Sequence, residues 1–391
     1  MDDIISFLER TMVVERLIGV LTYAVILLIV VYFLKHSKSK TRSFMILNVY
    51  LLVLSVMAFF FIPDTSADLY RWLELTINWP KQSLLAFFKE TALKSNVPLA
   101  YLFIYVCRCT GIDGVLPMAS AFVFYFFFFS ILKRAYVDFK FTSRQLSLML
   151  LVFMSLGRFI EIISGLRCLM AVAIFARCLY SELVNKKPSL FKTLILYVVE
   201  LASCLIHPYV LILFLIKSLL TLIKHENSLF TKIINVGVVI AAITAVVTFG
   251  SSYLKSAIEK SESYLSGGHY SYIWEYLIAG MMVILIIYNL YYYFKNTRHS
   301  FRESLKDRLS VNNLVLFTIS FLAIAIILFF QYSIFHRTVT FVSIVFLPIV
   351  GLNLTYSASK RFERNVLVFS LFILFVACAR GDLCAYKFFL L

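Results

Sequence analysis

The chain has 391 residues, of which 61% are hydrophobic and 15% are charged, and its mean hydropathy is +0.89. These values exclude an ordinary soluble domain and predict a single polytopic membrane domain over residues 1–391. The net charge of +16 does not indicate a nucleic-acid partner, because most of the basic residues fall in loops, where they anchor helices at the inner membrane surface.

Long apolar runs follow one another along the chain, beginning with IGVLTYAVILLIVVYFL at 18–34. Each run is long enough to cross a hydrocarbon core of about 30 Å as a helix, and none alternates apolar and polar residues as a barrel strand does. We therefore predict an all-α, polytopic integral membrane bundle of about 12 transmembrane helices. The predicted helices are 17–34, 44–62, 115–132, 145–164, 168–184, 191–206, 209–223, 233–250, 273–294, 311–330, 338–356 and 365–379.

The distribution of Lys and Arg predicts how these helices are oriented. Basic residues cluster in every second loop, from Lys35 and Arg42 near the beginning to Lys360 and Arg364 near the end. Loops that are rich in Lys and Arg face the cytoplasm. Both termini and the other loops are therefore expected on the outer side.

Two outer segments, at about 63–114 and 251–272, are expected to contribute to a functional site. In the first we predict an interfacial amphipathic helix at Leu84–Leu93. The apolar stretch 97–112 is interrupted by Arg108, and counting it as a span would break the alternation of basic loops. It is therefore expected to lie in the outer leaflet or dip into it. The second segment contains paired glycines that allow a mobile turn.

Unusual polar residues collect on the predicted outer side. A charge at membrane depth costs at least about 2.5–3.5 kcal/mol, so such residues indicate a functional site. Arg158 and Arg167 stand out most, because they lie inside or against long apolar helices. The complete set is Asp64, Asp68, Tyr70, Arg71, Arg158, Glu161, Arg167, His207, His269, His336, Arg337, Arg380 and Asp382.

Structural explanations exist for individual members of this set. Arg158 and Glu161 have the i,i+3 spacing of a helical ion pair, and Arg167 can extend its charge to the interface. His207 can cap a helix hairpin, and Asp68 can be an ordinary loop carboxylate. Their joint placement on one side favours a functional site.

The residue types indicate which chemistry this side could carry. Guanidinium groups bind phosphate bidentately and stay charged, and a lipid-linked sugar donor presents a diphosphate at the membrane surface. Histidine can accept a proton from an acceptor hydroxyl near neutral pH. Neither a metal-binding acidic motif on the outer face nor a Cys/His ligand spacing is present in the sequence. We therefore expect catalysis by Arg and His, with no metal and no cofactor.

Five stretches carry a family resemblance, and in chain order they are PDTSADLYRW, VPLAYLFIYVCRCTGI, SGLRCLMAVAIF, ELASCLIHPYVLILF and FHRTVTFVSIVFLP. Together they resemble the EpsG/Wzy group of bacterial polysaccharide polymerases. The shared features are an early outer loop with Asp then Tyr, an apolar stretch from a Pro to a Gly, and a helix that starts with Gly-Leu-Arg. A small-residue helix that ends in His and a late Arg-containing segment complete the pattern, which covers roughly residues 44–350.

The resemblance implies a fold similar to that of the class-C integral-membrane glycosyltransferases. It implies an enzyme of the bacterial inner (plasma) membrane with its active face on the periplasmic or extracellular side. Such an enzyme transfers a growing glycan from undecaprenyl diphosphate to the next lipid-linked unit of O-antigen, capsule or exopolysaccharide. The implied partners are the undecaprenyl-diphosphate-linked glycan, membrane lipid and a chain-length regulator protein.

The resemblance also implies roles for residues. We expect Arg158 and Arg167 to neutralise the diphosphate leaving group and Arg337 to assist them. His207 is the candidate base, and Asp68 is its rival. The residues expected to bind substrate are Tyr70, Arg71, Glu161 and His336.

Two other functions remain open. A lipid-linked oligosaccharide flippase would bind the same lipid, but transporters carry charge near the midplane, internal repeats and helices broken by Gly or Pro. The chain has 12 Gly and 7 Pro, and its unusual charges lie on one side, which favours surface chemistry. An O-antigen ligase or another membrane glycosyltransferase that uses the same donor is not separated from a polymerase by sequence.

Overall fold

A computed structural model of the chain is helical throughout the part that it describes. That part comprises residues 21–61, 68–95, 97–156, 159–184, 189–223, 273–297, 305–329, 331–356 and 360–379, with isolated positions 19, 63, 233, 235–237 and 240. The helices are α1 Leu21–Lys35, α2 Lys40–Phe59, α3 Asp68–Leu75, α4 Leu84–Phe87, α5 Pro98–Arg108, α6 Val115–Asp138, α7 Ser143–Met154, α8 Phe159–Ser164, α9 Cys168–Val184, α10 Leu190–Ile206, α11 Pro208–Ile223, α12 Ile273–Thr297, α13 Leu305–Ile327, α14 Tyr332–Val345, α15 Leu347–Tyr356 and α16 Lys360–Ala379.

Membrane character is shown by length and composition. Four helical segments among the described residues are long and apolar enough to cross a membrane, namely Lys40–Phe59, Val115–Asp138, Tyr276–Asn296 and Ile334–Thr355. The described residues also include shorter apolar helices, among them Leu21–Lys35 and Val311–Ile327. The prediction of an all-α membrane bundle is confirmed at this level, and twelve spans with outer termini stay a prediction. Most of the predicted span 233–250 and all of the outer segment 251–272 lie outside the described residues.

The predicted helix 145–164 is wrong as a continuous element, because two helices occupy this region. Helix α7 ends at Met154, whose carbonyl oxygen accepts a hydrogen bond of 3.1 Å from the Tyr23 hydroxyl. The Ser155 hydroxyl donates to the Val152 carbonyl at 2.9 Å, which satisfies another orphan acceptor of the last turn. The six-residue helix α8 then starts at Phe159. Because of this break, the short helix α8 lies at the end of the bundle that contains the predicted site residues.

The predicted helix 338–356 is also divided. Helix α14 ends at Val345 and α15 starts at Leu347, with Phe346 between them. Pro348 explains the division, because it lacks the N–H that a continuous helix would need at that position. The segment still counts as one apolar crossing of 22 residues from Ile334 to Thr355.

The first outer segment contains more helix than expected. The predicted helix at Leu84–Leu93 is present as α4, which continues as a π turn over Phe88–Ala92, and its position at a membrane interface stays a prediction. Helix α3 was missed by the sequence analysis. Helix α5 has 11 residues and is about 16 Å long at 1.5 Å per residue, too short to cross a hydrocarbon core.

Arg108, which interrupts the apolar stretch 97–112, has a structural role. Its buried guanidinium forms an ion pair with Asp113 and donates to the Leu73 carbonyl oxygen at 3.4 Å. These contacts join the end of α5 to α3 and to the turn before α6. The charge within the apolar stretch is thereby paired with a carboxylate, although the buried Nε of Arg108 has no hydrogen-bond partner in the described structure.

The starts of α2, α7 and α16 lie together at one end of the bundle. The Ser43 and Ser143 hydroxyls are 3.1 Å apart, and Arg144 Nε lies 2.5 Å from Glu363 Oε1. Each of these helices follows a predicted cytoplasmic basic loop. We call this end the basic-loop end; its position relative to a membrane stays a prediction.

Candidate functional site

The predicted site residues that the structure describes meet at the opposite end of the bundle. There, helix α8 contacts α3, α6 and α9, and α14 is joined to it through His336. Arg158, Asp64, His269, Arg380 and Asp382 lie outside the described residues, so the predicted Arg158–Glu161 pair is not among the contacts below.

The turn Gly165–Arg167 joins α8 to α9 and positions the central arginine. The Gly165 N–H donates to the Glu161 carbonyl oxygen at 2.7 Å, and a Cβ at Gly165 would lie 2.6 Å from that oxygen. The Ser120 hydroxyl of α6 lies within 3.3 Å of the Ile162 carbonyl and 3.2 Å of the Leu166 carbonyl. Glycine is therefore required at 165, and the turn is fixed to α6 by its carbonyl groups.

The side chain of Arg167, the last residue of this turn, is half-buried and lies against an aromatic ring. Its guanidinium carbon is 4.4 Å from the centroid of the Trp72 ring, a cation–π distance. Burial lowers the pKa of the guanidinium, while nearby Tyr101 and Asp68 favour its charged form and Arg337 opposes it. Guanidinium remains protonated in proteins in spite of such shifts.

Arg337, in the first turns of α14, is the second cation at this end. It lies within electrostatic range of Arg167 and of Cys168. Within the described part of the chain, no carboxylate lies within 4 Å of either guanidinium. The structure thus brings two arginines from distant parts of the sequence within electrostatic range of each other, and neither forms an ion pair with a described carboxylate, although Asp68 favours the charged form of Arg167.

Glu161 and His336 form a pair that was not predicted. His336 Nε2 lies 3.2 Å from Glu161 Oε1, and the histidine side chain is largely buried while the glutamate is half-exposed. A carboxylate in this position accepts a hydrogen bond from Nε2–H and fixes the orientation of the ring. The sequence predicts a substrate-binding role for both residues and does not predict this contact between α8 and α14.

His207 sits at the junction of α10 and α11, at the same end. Its Nδ1 accepts a hydrogen bond from the Tyr209 backbone N–H at 3.2 Å, and the Tyr209 hydroxyl lies 2.7 Å from Thr338 Oγ1 in α14. With Nδ1 used as an acceptor, the neutral ring has its proton on Nε2. His207 is therefore better suited to donate a hydrogen bond than to act as the predicted base.

Asp68, Tyr70 and Arg71 lie on α3, which is joined to α8 by a 3.4 Å hydrogen bond from the Leu69 N–H to Ser164 Oγ. Asp68 and Arg71 form an exposed i,i+3 ion pair of 3.6 Å. The pKa of the Tyr70 hydroxyl is raised by a hydrogen bond to Glu74. The rival base Asp68 already has a cationic partner, so His336 is the better-oriented candidate.

Aromatic rings form a row beside the arginines in the first outer segment. Trp72 makes an edge contact with Tyr101 at 5.7 Å, and Tyr101 stacks on Trp79 at 5.3 Å. The row continues through Phe87, which stacks on Tyr105 at 4.3 Å. Phe87 and Tyr105 are buried and pack the segment together, whereas Trp72, Trp79 and Tyr101 are only partly buried, so only these three rings have faces on which a sugar can stack.

A second charged cluster was missed by the sequence analysis. Lys217 of α11 is fully buried and pairs with Glu200 of α10 and, at 2.7 Å, with Glu182 of α9. Its Nζ also lies 4.2 Å from the centroid of the Tyr197 ring. The expectation that unusual charges lie only on the outer side is therefore incomplete. The isolated Lys in PYVLILFLIKSLLTLI was the available signal.

No protein-family model, curated protein or solved structure matches the chain. Within the described residues, His, Cys, Asp and Glu side chains form no group of three or more suited to a metal ion. The chemistry of this end must therefore be argued from its own side chains, which offer two arginines, an oriented histidine and an aromatic wall.

Proposed function

We propose that the chain is a glycosyltransferase of the bacterial inner membrane that polymerises undecaprenyl-diphosphate-linked oligosaccharide units at the periplasmic face. One observation carries the proposal: Arg167 and Arg337 lie within electrostatic range of each other, and in the described structure neither has a carboxylate partner. Like charges repel at short distance. An anionic ligand between them would remove that repulsion, and two guanidiniums match the bidentate demands of a diphosphate.

The reaction requires charge stabilisation on the leaving group. The bond between the anomeric carbon of the donor glycan and the diphosphate oxygen breaks, and a new bond forms from that carbon to the acceptor hydroxyl oxygen. Undecaprenyl diphosphate leaves with the bonding electrons. Arg167 and Arg337 stabilise the charge that develops on it, which is typically the largest catalytic contribution of a preorganised site.

The acceptor hydroxyl must lose its proton as the new bond forms. His336 is our candidate base, because the carboxylate of Glu161 lies 3.2 Å from Nε2 and fixes the orientation of the ring. This assignment replaces His207 and Asp68 of the sequence analysis.

A deletion strain and its complementation test the proposal. We expect deletion to collapse long polysaccharide ladders on a gel to a core that carries a single repeat unit, and the wild-type gene to restore them. Arg337→Gln and His336→Gln should fail to restore the ladder at wild-type protein levels. Lys89→Gln removes an exposed cation from the first outer segment and should restore it fully.

Other outcomes of the same experiment contradict the proposal. A full ladder with a stably expressed Arg337→Gln protein removes the diphosphate assignment. Long chains that stay on the lipid carrier in the deletion strain identify a ligase.

A lipid-linked oligosaccharide flippase is the second candidate, and the buried Lys217 cluster favours it. Charged residues inside the bundle are a transporter feature, and Lys217 and Glu200 are both fully buried within apolar helices. A flippase predicts that no repeat unit reaches the cell surface in the deletion strain. It also predicts loss of function in a stable Lys217 variant, which a polymerase that works at the other charged end does not require.

A further inference from the structure

A cleft lies between α6, α9 and the start of α10, away from the two arginines of the proposed site. Its volume is about 450 Å³, and its wall includes Arg134, Arg177 and Lys192. These residues stand towards the ends of their helices that adjoin predicted basic loops. The proposed polymerase chemistry uses none of them.

The cationic side chains of the cleft are only partly compensated. Asp138 accepts from Arg134 Nε at 3.0 Å and from the Tyr180 hydroxyl at 3.3 Å, so this acid is engaged. Arg177 donates to two neutral hydroxyls, that of Ser130 at 2.7 Å and that of Ser181. Lys192 has no ion pair among the described residues. Among the described residues, neither Arg177 nor Lys192 has a carboxylate within ion-pair distance, and Asp138 is the acid nearest to them in the wall of the cleft.

The rest of the wall is apolar and open to the outside of the bundle. Phe191 is 71% exposed and Ile195 is 45% exposed, and both line the cleft. Around a membrane helix such surfaces contact acyl chains. Cations beside an exposed apolar wall match an amphiphile with a charged head. The positive end of the α10 dipole, in the first turn that carries Lys192, adds to the attraction for an anion.

We propose that this cleft binds the phosphate headgroup of an anionic phospholipid. The phosphate lies between Arg177 and Lys192, which supply charge-assisted hydrogen bonds. The acyl chains run along Phe191 and Ile195. Basic recesses between helices on the cytoplasmic side are a recurrent form of lipid headgroup recognition. The site is independent of the proposed transfer reaction, because it lies at the other end of α9 from Arg167.

Thermal unfolding of the delipidated full-length protein in detergent tests the proposal. A ligand that binds only the folded state raises Tm. We expect phosphatidylglycerol to raise the Tm of the wild type by several degrees and phosphatidylcholine to leave it unchanged. The Arg177→Gln/Lys192→Gln double variant should lose most of that rise. Lys360→Gln/Arg364→Gln removes the same charge from exposed positions of α16 and should keep it.

Three results would overturn the proposal. One is a full phosphatidylglycerol shift in the double variant, and another is loss of the shift in the α16 control. The third is an equal shift with inorganic phosphate alone, which would assign the cleft to a free anion. If the double variant does not fold, Lys192→Glu takes its place, because this side chain is exposed. It should abolish the phosphatidylglycerol shift and leave the lipid-free Tm near that of the wild type.

Discussion

The two charged clusters of the bundle differ in how their cations are compensated. Lys217 is completely buried and has two glutamate partners. Arg167 and Arg337 are half-buried, lie within electrostatic range of each other and have no carboxylate partner in the described structure. Removing one partner of a fully paired buried cation destabilises the fold, because the remaining charge is left without compensation. Two cations within electrostatic range of each other, neither with an ion pair in the described structure, can together bind an anion.

The largest expected effect is on stability, and it comes from removing the charge of Lys217. Lys217→Met leaves Glu182 and Glu200 without their cation, and loss of one partner from a buried ion pair costs about 3–5 kcal/mol. We expect a large fall in Tm of the purified protein in detergent. Adding Glu200→Gln should recover part of the loss, because one buried negative charge is then removed. A Lys217→Met protein with wild-type Tm would show that this cluster does not stabilise the fold.

The second prediction concerns Arg167 and should affect activity rather than stability. Arg167→Lys keeps a positive charge but loses the planar donor pair that matches a diphosphate. We expect the rate of polymer formation to fall by about 10²–10³-fold, the usual cost of one stabilising donor. The Tm should change little, since Arg167 forms no ion pair with a described residue. Purified protein with a synthetic lipid-linked unit provides the rate, and a wild-type rate would contradict the assignment.

The third prediction tests the backbone that holds the site. Gly165→Ala places a Cβ 2.6 Å from the Glu161 carbonyl oxygen, so the turn must shift. We expect a loss of about 1–3 kcal/mol in stability, as for overpacked positions. Activity should also fall, because Glu161 and Arg167 stand on either side of this glycine. Gly280→Ala, whose Cβ meets nothing within 4 Å, is the control and should be neutral or slightly stabilising.

The same contrast explains what could be predicted from the sequence. Helix α9 matches its predicted bounds, because a long apolar run ends in polar residues on both sides. The break after Met154 was not predicted, because the apolar pattern continues through it. Hydroxyl groups of Ser155 and of the distant Tyr23 accept the role of helix N–H groups by donating to the Val152 and Met154 carbonyls. The alternation of basic loops predicted that Arg167 and His336 lie on the same side of the membrane.

Pairing between distant helices could not be predicted in this way. Local spacing offered Arg158, three residues before Glu161, as a possible partner, and it could not indicate His336 of α14, which the structure places 3.2 Å from Glu161. The cluster of Lys217, Glu182 and Glu200 joins three helices, and no local spacing connects them. Which charges compensate one another is decided by tertiary packing, which a single sequence does not show.

The smallest expected effect comes from Trp72, whose ring lies 4.4 Å from the Arg167 guanidinium carbon. A cation–π contact contributes about 0.5–1 kcal/mol at exposed sites, and 1.4 kcal/mol is a tenfold change in affinity. Trp72→Leu should therefore raise the KM for the lipid-linked donor by roughly two- to fivefold, because Arg167 is less well held. Trp72→Phe keeps a ring and should lie between this variant and the wild type. If Leu and Phe raise KM equally, the ring does not position Arg167, and the unpaired arginine is held by its turn alone.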